Sequence, residues 1–207
     1  MTEPASTRRT RLGVFVSGSG RTMVNLVKRS RDGRLDADVG IVIASRDRGA
    51  LGHARGLGVP SELRPGEFSP ADVDALVAEH QIDWIVLAGY LRKFPITPRV
   101  AGRVVNIHPG LLPGDGSPGP FGGPGMHGIA VHRAVIDAYA RGEITESGCT
   151  VHLCDDGYDS GPVVLRKTCK VLASDSPETL AQRVFALELD AYPEALQRLI
   201  TESRTRK

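Results

Sequence analysis

Val104-Val105-Asn106-Ile107-His108-Pro109-Gly110 reads as a short buried strand ending in a carboxamide, an imidazole and a proline. Polar side chains two apart on extended backbone point to the same face of a sheet. One is a neutral donor, the other a proton-transfer group. Together they can hold a developing oxyanion and move a proton, provided a third group orients the imidazole. Asp159 is the candidate for that third group. An isolated Asn-x-His more often ends a strand and caps a loop, so the rest of the chain decides between the two readings.

Toward the N-terminus, strands and helices alternate. Arg11 to Val16 is a first strand that runs into Ser17-Gly18-Ser19-Gly20, and the spacing predicts a helix from Arg21 to Arg31 with Met23, Leu26 and Val27 on one face. The turn's backbone N–H groups and the helix dipole can receive an anion. A dinucleotide fingerprint begun at Gly18 would need glycine where Met23 stands, and no Walker loop occurs. Phosphate is the expected ligand, with an unliganded tight turn as the alternative. Val39 to Ala44 is a second strand, followed by a helix from about Ala50 to Leu57 that Gly58 and Pro60 end. A brief third strand lies at Ser61 to Leu63. Ser69-Pro70 opens a helix carrying Val73, Leu76 and Val77. Trp84 to Ala88 is the fourth strand and Val104 to Ile107 the fifth. Such nearly continuous apolar strands predict an α/β fold, Rossmann-like, with a mainly parallel twisted sheet covered by helices on both faces in a single domain. Ligands bind beyond the carboxyl ends of such strands, where the glycine turn, Gly89-Tyr90-Leu91-Arg92 and Asn106-x-His108 all fall.

Toward the C-terminus, Gly110 to Gly128 holds eight glycines and four prolines. A structureless loop leaving directly from the candidate site strand is expected to be a lid. A helix follows near Ile129 to Arg141, with Ala130, Ala134 and Ala138 as its small-residue face. Ser147 to Cys154 is a sixth strand carrying His152, and Asp155 to Pro162 an acidic, glycine-punctuated loop. Val163 to Leu165 and Thr168 to Leu172 supply further strand. Ser176-Pro177 caps a last helix with Leu180, Val184, Leu187, Ala191, Leu196 and Leu199 as its inner stripe.

The 207 residues fit one α/β domain, and 41% hydrophobic with 24% charged residues is ordinary for a globular protein. A net charge of +2 implies no polyanion partner, so no nucleic acid is expected. The basic ends, Arg8-Arg9-Thr10-Arg11 and Arg204-Thr205-Arg206-Lys207, read as frayed and solvated, with residues 1–10 disordered. No run approaches a membrane span, so the expected location is cytoplasmic and the partners small molecules. Cys149, Cys154 and Cys169 suit buried thiols in a reducing compartment. His127 and His132 lack the spacing of a helical metal pair, and no Cys-x-x-Cys occurs, so no metal is expected.

Six segments in order resemble the folate-dependent formyltransferases: Ser17-Gly18-Ser19-Gly20, Val86 to Arg92, Val105 to Pro113, Gly148 to His152, Asp159 to Pro162, and Glu188 through Tyr192-Pro193. The Asn-x-His-Pro-x-Leu-Leu-Pro run is the most specific. Within that family the resemblance is nearest to the branch that formylates glycinamide ribonucleotide in purine synthesis. It implies a formyltransferase domain over residues 11–203, with a nucleotide-fold half (11–108) and a half bearing the lid, the catalytic loop and the last helix (109–203). It also implies Asn106, His108 and Asp159 as the catalytic set and 10-formyltetrahydrofolate as co-substrate. Ser17, Gly18, Ser19, Gly20, Arg21 and Thr22 would hold the ribose phosphate, and Glu188 the ribose hydroxyls. Tyr90, Leu91 and Arg92 with Asp155, Asp156 and Gly157 would line the folate pocket. His152 would support the site from behind, or be a hydrogen-bonded core histidine. Arg21-Thr22, the long loop around Gly114 to Gly125 and Glu188-Leu189 depart from the family's usual pattern. Alternatives are hydrolysis of formyltetrahydrofolate, formylation of an amino sugar nucleotide and, from another class, a non-catalytic nucleotide-binding module. Either a monomer or a homodimer fits.

Overall fold

A computed structural model describes residues 8–205; the expectations for residues 1–7 and for Arg206 and Lys207 lie outside them. The first half comprises strand β1 (Thr10–Val16), helix α1 (Arg21–Arg31), β2 (Ala37–Ala44), α2 (Ala50–Gly56), β3 (Ser61–Leu63), α3 (Pro70–Glu79), β4 (Trp84–Leu87) and β5 (Val104–His108). The second comprises α4 (Ile129–Ala140), β6 (Glu146–Leu153), β7 (Val163–Lys170) and α5 (Pro177–Thr205). All strands join one seven-stranded sheet in the order β3-β2-β1-β4-β5-β6-β7. The first five run parallel, while β6 is antiparallel to β5 and β7 to β6. Because β2 and β3 lie to one side of β1, and β4 and β5 to the other, a crevice opens beyond the carboxyl ends of β1 and β4.

Alternation along the central strands builds two cores. Leu12, Val14 and Val16 of β1 pack with Met23, Leu26 and Val27 of α1, with α2, and with Val131, Val135, Leu180, Val184 and Leu196 of α4 and α5. Phe15, Ile43, Ile85 and Val104 face the other way, against Val73, Leu76 and Val77 of α3. Helices therefore cover both faces, four on one and one on the other. Asn106 and His108 share the parity of Val104 and project on the α3 side.

Helix α5 carries Pro193 in its interior. Proline has no N–H for the carbonyl four residues back, that of Leu189. Asn25 of α1 fills the gap, donating Nδ2–H to the Leu189 oxygen at 2.7 Å. One residue before the proline, the wholly buried Tyr192 directs its hydroxyl at the carbonyls of Leu87 and Val105, at 3.0 and 2.9 Å. Both contacts fix α5, and with it Glu188, against the elements that end at the crevice.

Several expectations change. Thr10 already belongs to β1, Arg8 bonds the Asp83 carboxylate at 2.9 Å, and Arg9 reaches Asp38 at 2.8 Å and the Leu35 carbonyl at 2.8 Å, so the chain is anchored from Arg8 onward. Arg204 likewise pairs with Asp36. The two strand pieces after Pro162 are one strand, β7, held along its length by β6. The buried face of α4 is Val131, His132, Val135 and Ala138, so of the small-residue face only Ala138 is fully buried, with Ala130 and Ala134 partly exposed. Tyr192, Ala195 and Ile200 join the inner face of α5, where Leu187 and Leu199 are only partly buried.

Candidate active site

The antiparallel register of β5 on β6 places Asn106 opposite His152 and His108 opposite Thr150. Directly opposed residues present their side chains to one face, and Asn106 Nδ2 lies 3.1 Å from His152 Nε2. His152 Nδ1 is 3.0 Å from the Leu153 carbonyl oxygen. A carbonyl only accepts, so Nδ1 carries a proton and Nε2 meets the Asn106 carboxamide. His152 thus fixes how Asn106 points. The second Asn106 N–H contacts Asp159 Oδ1 at 3.4 Å, the weaker of the two bonds and the one open to exchange.

Asp159 has φ 54°, a left-handed conformation that aspartate enters more easily than most residues. Its loop is drawn into shape by Asp155, whose carboxylate accepts from Gly157 N at 2.9 Å and Ser160 Oγ at 2.7 Å. Gly161 then passes so close to β6 that a Cβ there would sit 1.8 Å from the Leu153 oxygen. The result brings Asp159 Oδ2 to 3.4 Å from His108 Nδ1 and Oδ1 to 3.6 Å from His152 Nε2. Burial pushes the Asp159 carboxyl up, but the two histidines and the Gly123 N–H outweigh it and hold the group below the usual carboxylate range. It is ionised at neutral pH.

His108 is 3% exposed, and its Nε2 lies 2.6 Å from the Phe121 carbonyl, to which it donates. Nδ1 faces the Asp159 carboxylate. An imidazolium here would find an acceptor at each nitrogen, yet burial pushes the ring's pKa down against the pull of Asp159. Phe121 and Gly123 both belong to the glycine- and proline-rich loop, and Gly123 N donates to Asp159 at 3.0 Å. The loop is tied at its start by Thr150, whose hydroxyl donates to Gly110 O at 2.8 Å and accepts from Leu112 N at 3.0 Å. It folds over the site as a wall rather than trailing away as a spacer.

These groups open into a cleft of about 680 Å³, a size suited to small-molecule ligands. At its far end lies the glycine turn. Gly20 has φ 79°, and a Cβ on it would stand 2.9 Å from that of Ala50, so only glycine fits. The N–H groups of Gly18, Ser19, Gly20, Arg21, Thr22 and Met23 find no acceptor among the described residues. Six consecutive donors without an acceptor at a helix N-terminus can receive an anion. Arg21 stacks its guanidinium 4.0 Å above the Phe185 ring. Glu188 is half-buried on the same wall, and burial pushes its carboxyl up to about 7 against the charge of Arg21.

Ser17 differs from its expected place. Its side chain is buried, 2.7 Å from Ser45 Oγ, and accepts from Leu91 N at 3.1 Å. The hydroxyl ties the ends of β1 and β2 to the loop after β4 and does not line the cleft. Tyr90, Leu91 and Arg92 do line it, as do Asp155 and Gly157, whereas Asp156 is exposed and lies outside. Sequence reasoning missed Phe185, Ile129 and His132, all on the cleft wall. Tyr158, within the Asp155 to Asp159 loop that the resemblance sets against the folate, lies on that wall. His132 carried little signal, being one histidine on a helix; it is 3% exposed, its Nδ1 has no partner, and burial pushes its pKa to about 4. The three cysteines are free thiols. Among the described residues no group of three or more His, Cys, Asp or Glu side chains is placed to hold a metal ion.

A family model described as formyl transferase matches residues 10–196. The chloroplastic phosphoribosylglycinamide formyltransferase of Vigna unguiculata is 36% identical over 94% of this chain and 62% of its own length. The chain thus spans just under two thirds of that plant relative. The phosphoribosylglycinamide formyltransferase of Bacillus subtilis is 30% identical over 92% of this chain and 94% of its own. Among solved structures, glycinamide ribonucleotide transformylase 1 from Geobacillus kaustophilus superposes with a TM-score of 0.75 at 32% identity, covering 93% of this chain and 99% of that one. With the sheet order, the Asn106-His108-Asp159 cluster and a match along nearly its whole length in agreement, the chain belongs to the formyl transferase family.

Proposed function

We propose that the protein transfers the formyl group of 10-formyltetrahydrofolate to the amine of glycinamide ribonucleotide, a step of purine synthesis. The observation that carries this reading is the convergence of Asn106, His108 and Asp159 in the same cleft as the donor-rich turn at Gly18 to Gly20. The acceptor is supported by the names of the Vigna and Bacillus relatives.

The acceptor's neutral amine attacks the formyl carbon; a C–N bond forms and the carbonyl pair moves onto oxygen. Asn106 donates to that oxyanion, giving up its 3.4 Å contact with Asp159; such a donor contributes about 3 kcal/mol. Asp159, ionised, takes the proton released by the attacking nitrogen, directly or through water. His108, with its proton on Nε2, delivers it to the departing folate nitrogen as the original C–N bond breaks, while its Nδ1 takes from Asp159, 3.4 Å away, the proton that left the amine. For His108 to reach substrate through Nε2, the Phe121 carbonyl must release it, so the loop shifts on binding. His152 keeps the Asn106 carboxamide aimed. Gly18, Ser19, Gly20, Arg21 and Thr22 receive the phosphate, and Glu188 the ribose hydroxyls. Tyr90, Leu91, Arg92, Asp155 and Gly157 take the folate, with residues 11–203 acting as one domain.

The reading includes small molecules as the only ligands, a monomer or homodimer, and a cytoplasmic location. Among the described residues no helix is long and apolar enough to cross a membrane, while the Vigna relative is named chloroplastic. Asn106→Ala is expected to lower kcat about 10²- to 10³-fold while leaving folate binding intact by fluorescence titration. Unchanged turnover in both Asn106→Ala and His108→Ala would overturn the catalytic assignment.

A further inference from the structure

We infer that His53, outside the cleft, is a positioning residue for the phosphate turn: it holds the Ser19–Gly20 peptide so that the Gly20 N–H faces the ligand. This rests on the reading of Gly18 to Gly20 as the anion site. His53 lies one turn into α2, exposed, with Nδ1 3.0 Å from the Ser19 carbonyl oxygen. Since that oxygen can only accept, His53 is the donor.

No peptide bond among the described residues is cis, so the Ser19 carbonyl and the Gly20 N–H point in opposite directions. His53 is not part of the cleft wall, whereas Gly18, Ser19 and Gly20 are. Pulling the carbonyl toward α2 therefore turns the N–H toward the cleft. The same helix meets the turn from behind at a second point, where Ala50 blocks any Cβ on Gly20. A glycine at φ 79° has little else to fix its peptide plane. Without His53 the plane can rotate and present a carbonyl, a repulsive group, to the anion.

The test follows the backbone amide signals of Gly18 and Gly20 by NMR while inorganic phosphate is added to the full chain, in wild type, His53→Ala and His53→Asn. Asparagine can place its Nδ2 near the position of the histidine Nδ1. The expected result is that His53→Ala weakens phosphate binding about two- to tenfold, the range of a single net hydrogen bond, and His53→Asn restores it to within twofold. In turnover assays His53→Ala raises KM for glycinamide ribonucleotide by the same factor, leaving kcat and KM for the folate within twofold. Equal phosphate binding in wild type and His53→Ala overturns this inference alone. So does an equal rise in both KM values, or an asparagine variant no better than alanine. Wild-type turn amides that do not respond to phosphate overturn the reading of the anion site, and this inference with it.

Discussion

His108 Nδ1 faces Asp159 Oδ2 at 3.4 Å while its Nε2 is committed to the Phe121 carbonyl. The imidazole is thus held between an ionised carboxylate and a loop carbonyl, and in the proposed mechanism that loop must move. Replacing Phe121 tests little, because the contact is through backbone; shortening the loop that presents it tests more. Deleting Gly114 to Ser117, an exposed stretch between His108 and Phe121, is expected to change kcat and the folate KM together while leaving the phosphate turn's affinity unaltered. Stopped-flow binding and steady-state kinetics check this.

His132 gives a stability signature. Burial lowers its pKa from 6.5 to about 4, so the unfolded chain binds this proton first as pH falls. Stability is lost from about pH 6.5 downward, by on the order of 3 kcal/mol by pH 4. His132→Leu removes both the titration and an unpartnered buried nitrogen. Urea denaturation across that range is expected to give a flatter pH profile for the variant and greater stability at pH 5.

Glu188 has the opposite sign. Its carboxyl is raised from 4.5 to about 7, chiefly by burial, so the unfolded chain releases this proton first and stability falls as pH rises between those values. Glu188→Gln should therefore be more stable than wild type at pH 8. The ionised form accepts better from ribose hydroxyls, so the acceptor KM of wild type falls as pH rises through about 7. The Gln variant shows a higher KM with no such inflection. Arg21→Ala moves the wild-type inflection to higher pH, because the charge opposing burial is gone.

Asn25 and Pro193 should be coupled. Asn25→Ala leaves the Leu189 carbonyl without its donor and is expected to cost about 1 kcal/mol. In a Pro193→Ala background the helix can supply its own N–H to that carbonyl, so the same change costs less. A double-mutant cycle by chemical denaturation measures the difference. Additive costs would mean that the amide bond does not stand in for the missing helical one.

The frame of the molecule was legible because its signals are local. Leu12 to Val16, Ile41 to Ala44 and Trp84 to Leu87 are apolar on both faces, as strands of a doubly covered sheet must be. Ser69 with Asp72 makes the capping box that opens α3. The spacing of Asn106 and His108 made them candidates, with Asp159 as a third group, and the resemblance joined the three as one set; the fold brings them together. What stayed hidden depends on tertiary approach. Ser17 looks like a phosphate ligand until Ser45 and Leu91 N occupy its hydroxyl. Asp156 sits beside two site residues, but the turn closed by Asp155 and Ser160 leaves it in solvent. Phe185 becomes part of the site only because α5 packs across α1 and brings the ring under Arg21.

The most direct measurement mixes the purified protein with 10-formyltetrahydrofolate and follows the released folate product with and without glycinamide ribonucleotide, for wild type and Asp159→Asn. The account predicts turnover that requires the acceptor in wild type and is nearly abolished in the variant, with folate still bound. Turnover without the acceptor would make the protein a hydrolase, and equal turnover in Asp159→Asn would contradict the assigned chemistry.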